Sequence, residues 1–173
     1  MRNYLNAAAA TLLLVLFSSG CELLDLVDIE FNSDEQSANV VIEPNTAGTY
    51  VEQEEIVTTD IKGQIQDNGG SFDQLSKITI SDITVSLVSG ATNLDAFKSF
   101  EITIKADGLE SKKIAWMDDV PAGVTSVEPN HTPDNLKDYI GKDTYVVTFI
   151  GELREDTTED ITLKISAHYS IKL

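Results

Sequence analysis

From Ile161 to the last residue the chain alternates without a break. Ile161, Leu163, Ile165, Ala167, Tyr169, Ile171 and Leu173 are apolar, and Thr162, Lys164, Ser166, His168, Ser170 and Lys172 are polar. Successive side chains of a strand point to opposite faces, so this segment predicts a long strand with one buried and one wet face. Shorter stretches repeat the period. Val27, Ile29 and Phe31 alternate with polar neighbours, and so do Ala38, Val40 and Ile42, ahead of the breaker Pro44-Asn45. Gly48 opens a further strand over about 49–59. Phe100, Ile102 and Ile104 predict another strand, ended by the turn pair Asp107-Gly108. Ile114 and Trp116 mark a short strand, and Val147, Phe149 and Leu153 share one parity within Thr144–Leu153.

One strand changes parity midway. In the run Lys77 to Leu87 the apolar positions are even at Ile78 and Ile80 but odd at Ile83, Val85 and Leu87. A one-residue slip turns every later side chain to the other face, so either a bulge at Ser81-Asp82 or a bend between two sheets is required. Two short helices are expected in connections. One spans Asp60–Gln66, before Asp67-Asn68-Gly69-Gly70; the other starts at Thr132-Pro133-Asp134, with Thr132 as cap, and stops near Gly141. About eight strands, mostly antiparallel, without an internal repeat, predict an all-β antiparallel sandwich, immunoglobulin-like or similar.

The first 20 residues break this rhythm. They hold Arg2 and no acidic residue, an apolar run from Ala7 to Phe17, and then Ser18-Ser19-Gly20 before Cys21, the sole cysteine. That order is a secretory signal, and a run of eleven residues is too short to span a bilayer, which takes roughly 20. Gly20-Cys21 resembles the lipobox of bacterial lipoproteins, with Ser18 standing where that motif usually has Leu. The resemblance implies cleavage before Cys21, diacylglycerol on its thiol and acylation of its new amino terminus. Several acyl chains anchor stably where one is marginal, because each buried methylene contributes ~0.8 kcal/mol. The expected division is therefore a cleaved signal peptide at 1–20, a lipidated tether at 21–26 and one sandwich domain at 27–173. The stretch CELLDLVDIEFN, the strand SKITISDITVSL and the closing ITLKISAHYSIKL are similar to uncharacterised Bacteroidota lipoproteins. No activity comes with that likeness.

Charge narrows the partners. Without residues 1–20 the chain has 153 residues, 11 Lys and Arg against 29 Asp and Glu, and a net charge of −18. Phosphates are repelled by such a surface, which argues against nucleic acid. An apolar content of 42% is too high for a disordered chain.

Candidate chemistry is sparse. His131 and His168 are far apart, with no His or Cys at metal-ligand spacing, so neither a metal nor a cofactor is expected. Asp118-Asp119 and Glu155-Asp156 with Glu159-Asp160 read as solvated turns, although two carboxylates could in principle serve a small envelope hydrolase. Trp116 with Tyr139 and Tyr145 could form a sugar-stacking platform, but Trp116 alternating with Ile114 reads first as core. Asp156-Thr157-Thr158 resembles the Bacteroidota O-glycosylation acceptor, with Thr157 as the weak candidate. Asn130-His131-Thr132 matches the N-glycosylation sequon, which carries no weight in a bacterium.

The expectation is a non-enzymatic lipoprotein of the outer membrane, facing periplasm or surface, that binds or helps assemble another envelope protein. Glu22 after the cysteine, by analogy with enterobacterial sorting, gives no inner-membrane retention signal. The alternative is a strand-donating filament subunit, in which the strands at 27–32 and 161–173 would serve.

Overall fold

The computed structural model describes residues 30–173. In chain order the strands are β1 (Glu30–Asn32), β2 (Gln36–Ile42), β3 (Tyr50–Thr58), β4 (Lys77–Ser89), β5 (Phe97–Lys105), β6 (Lys112–Met117), β7 (Ser126–Val127), β8 (Asn130–His131), β9 (Thr144–Leu153) and β10 (Ile161–Lys172). Helix α1 (Ile61–Asp67) and a 3-10 turn at Phe72–Gln74 lie between β3 and β4, and helix α2 (Lys137–Ile140) lies between β8 and β9. One sheet is centred on β10, with β4 and then β7 on one side and β1 and β2 sharing the other. The second sheet has the order β3-β9-β5-β6-β8. All pairings are antiparallel, and the architecture is the expected all-β sandwich.

β10 carries out its alternation in full. Every odd residue from Ile161 to Ile171 is buried and every even one is half-buried. Side chains of this size contribute about 1.5–3 kcal/mol each when fully buried, so one strand supplies a large share of the core. Its neighbour β4 contains the expected bulge. Ala167 pairs with Ile83 and His168 with Asp82, but Tyr169 pairs with Ile80, leaving Ser81 without a partner. The extra residue lets Ile78, Ile80, Ile83 and Val85 all face inward, and all four are buried.

A second bulge overturns one expectation. Ile102 pairs with Ala115 and Thr103 with Lys113, so Ile114 is the extra residue. Ile114 and Ala115 are both buried, and Trp116 is turned to the outer face opposite Glu101, only partly covered. Trp116 is not a core residue, because the alternation with Ile114 stops at the bulge.

Between the sheets Phe149 sits edge-on to Phe97, with ring centres 5.6 Å apart, and stacks on Phe100 at 5.3 Å. Gly151 shares the inward parity of β9, and a Cβ there would press on the Phe149 ring. Further along, the hydroxyls of Tyr145 and Tyr169 meet at 3.4 Å in the buried interior.

The helices close one end. Asp60 caps α1 by accepting from Gly63 N–H at 3.2 Å, and Ile61 and Ile65 are fully buried. The helix expected from Thr132 does not begin there. Thr132 Oγ1 accepts from Asp134 N–H in a local turn, Asn135 Oδ1 accepts from both Ile78 and Lys137 N–H, and α2 starts only at Lys137. The two-residue strands β7 and β8 were not expected from the sequence.

Candidate functional site

Strand direction sorts the connections into two ends. Glu30 lies opposite Lys172, and Lys172 opposite Lys77, so β1 enters where β10 ends and β4 begins. The segments 59–76, 106–111 and 132–143 gather at this end. The loops 43–49, 90–96, 118–125 and 154–160 gather at the other, since Ile161 pairs with Ile42 and Phe97 with Leu153. Cys21, the expected tether at 21–26 and the predicted strand start at Val27 lie outside the described residues.

The entry of the chain is pinned at a residue that sequence reading missed. Ser33 interrupts the edge strand between β1 and β2 and is buried. Its N–H donates to Tyr169 O at 2.8 Å, and its Oγ accepts from Tyr169 N–H at 3.0 Å. Its carbonyl lies 3.1 Å from Nδ1 of His168, which places a donor N–H there. Beside it Asp34 N–H donates to Gln64 Oε1, and Lys164 pairs with Glu35 at 2.5 Å. The Lys164 hydrogen bond holds the Glu35 carboxyl below its ordinary range. The first strand is thereby fastened to the central strand and to α1.

At the far end Thr157 is part of a clasp. Its Oγ1 accepts from Asn45 N–H at 2.8 Å and its N–H donates to Asn45 O at 2.8 Å. Asp156 Oδ1 accepts from Ala47 N–H at 2.8 Å. Together they tie the β9–β10 loop to the β2–β3 loop. A sugar on Thr157 would have to be accommodated around that hydroxyl, whereas its neighbour Thr158 is exposed.

The carboxylates singled out in the sequence are spoken for in part. Asp119 pairs with Arg154 at 2.8 Å, and Asp156 is in the clasp. His131 and His168 fall in different sheets, and no group of three potential metal ligands exists among the described residues. Trp116, Tyr139 and Tyr145 do not form one platform. Tyr145 is buried, and Tyr139 donates its hydroxyl to Glu110 O. Trp116 instead lines an open groove of about 450 Å³ with Asp82, Glu128, Asn130 and His131, beside the β4 bulge. Lys113 lies over its ring at 5.5 Å.

Comparison with known proteins gives no matching family model and no matching curated protein. Among the described residues no helix is long and apolar enough to cross a membrane.

Proposed function

We propose that this chain is a lipid-anchored, non-catalytic binding module of a bacterial outer membrane, tethered through Cys21. The observation that carries the reading is the ordered run of apolar segment, Ser18-Ser19-Gly20 and Cys21, which has no use in a sandwich core. The geometry supports it. β1 enters the sandwich at one end, next to the last residue of β10, and is held there by Ser33. An anchor at 21–26 would lie on the side of this end and leave the loops at the opposite end to a protein partner.

The activity is recognition of another envelope component, and the acidic surface directs it to basic or neutral partners. The test is Cys21→Ala expressed in a Gram-negative host. The reading expects the protein to leave the membrane fraction or accumulate as precursor. An unchanged membrane-bound, processed product contradicts it. In the filament alternative, β10 would be a poor donated strand, because it is central, with partners along both sides. Exchange would fall to the β1–β2 edge.

A further inference from the structure

Among the described residues β3 is the outermost strand of its sheet, paired with β9 alone. Two bonds at its ends show which of its backbone groups are used. Leu153 N–H donates to Thr49 O at 3.0 Å, and Thr59 N–H donates to Asp143 O at 3.1 Å. Antiparallel bonded pairs alternate, so the odd residues of β3 bond to β9 and the even ones point N–H and C=O away from the sheet. Tyr50, Glu52, Glu54 and Ile56 therefore offer a ladder of unpaired donors and acceptors along the free edge. Their side chains also share the outer face, and Tyr50 is 70% and Ile56 68% exposed. From Ile56 a groove of about 550 Å³ opens across that face, lined by Glu54, Val146, Lys105, Leu109 and Glu110 among others.

Charge decides what can add to this edge. Antiparallel pairing with the β3 of a second copy, in the registers that pair most of the strand, would bring Glu54 against Glu54 or Glu52 against Glu54, and like charges opposite one another destabilise a ladder. The chain's own residues before β1 include Glu22, Asp25 and Asp28 and suffer the same repulsion. An edge guarded only by charge excludes acidic strands and its own kind, but attracts basic ones. We infer that β3 is a docking edge for an extended segment of a partner protein, added as a further antiparallel strand. That segment carries two basic residues at alternate positions opposite Glu52 and Glu54, flanked on the same face by apolar residues opposite Tyr50 and Ile56. Main-chain bonds along the even residues supply adhesion, and the exposed side chains of Tyr50 and Ile56 select the apolar flanks. The inference rests on the binding-module reading and names the partner's chemistry.

The probe is a fluorescein-labelled, end-blocked peptide of sequence Thr-Val-Thr-Lys-Thr-Lys-Thr-Ile-Thr, titrated against the processed protein in neutral detergent micelles. The expected result is saturable binding below 1 mM that slows hydrogen exchange in residues 50–58. Affinity should fall at least tenfold when both peptide lysines become Glu, when the peptide is N-methylated at its Val, Lys and Ile residues, whose N–H groups face β3, or in Glu54→Pro. The Glu54 N–H faces solvent, so proline there removes a docking donor without removing a bond to β9. The N-methylated peptide needs no protein variant and keeps the test independent of Glu54→Pro folding. No saturation at 1 mM, protection elsewhere than 50–58, or binding indifferent to N-methylation overturns the inference. Lipid on Cys21 is read separately by mass, so a failed peptide with lipid present removes the docking edge and leaves the anchored-module reading standing.

Discussion

The hydroxyls of Tyr145 and Tyr169 meet 3.4 Å apart between the two sheets, one from β9 and one from β10, and both side chains are buried. Burial pushes both phenols above their ordinary range, Tyr169 well above it. In the unfolded chain a tyrosine ionises at about 10, while in the folded chain these two keep their protons to higher pH. Their contribution is therefore complete below pH 10 and is lost as pH rises beyond it. Urea midpoints should be flat from pH 7 to 9 and fall above 10. Lysines raised by ion pairs add to that fall, so the decisive comparison is the double variant Tyr145→Phe with Tyr169→Phe, which should show a shallower alkaline decline. An equal decline would mean that the pair is not buried as described.

The parity of β10 makes a sharp contrast between neighbours. Ile165→Ala removes a buried side chain, which typically costs about 2–5 kcal/mol. Ser166→Ala, on the outer face, should stay within about 0.5 kcal/mol. Thermal or urea unfolding of both variants checks this, and equal effects would contradict a half-buried strand.

Ser81 is a residue whose value is its presence rather than its side chain. Ser81→Ala should be near neutral. Deleting Ser81 removes the slip in parity and drives either Ile78 and Ile80 or Ile83 and Val85 out of the core. Two such side chains exposed cost on the order of 3–6 kcal/mol, a large part of a domain's stability of about 5–15 kcal/mol. The deletion variant should be recovered mainly insoluble; a deletion variant as stable as the parent would refute the bulge.

Ser33→Ala withdraws the acceptor of the buried Tyr169 N–H and should cost about 1–3 kcal/mol. Hydrogen exchange should quicken in β1 and around Tyr169 before it does in β9. Thr157→Val should loosen the 43–49 loop in the same way, while Thr158→Val leaves it unchanged.

Strands with a buried face announced themselves through their period of two, and the β4 bulge was legible as a slip in that period. Trp116 was misread because the β6 bulge falls between it and Ile114, where no second apolar pair reveals the slip. The helix expected at Thr132 failed for a tertiary reason: the Asn135 side chain is drawn to Ile78 N–H of β4. Ser33 gave no signal, since a buried serine that bonds a distant strand looks like any loop serine. β7 and β8 are too short to show a period. The open edge of β3 was not legible, because edge status belongs to the order of strands in a sheet and not to any one segment.

The proposed anchor is the central claim, and one measurement addresses it most directly: intact mass and fragment analysis of the amino-terminal peptide of the protein isolated from its native host. The account predicts that the chain begins at Cys21, with a diacylglyceryl group on the thiol and a further acyl group on the amine. A free Cys21 thiol, or a chain that retains residues 1–20, would contradict it.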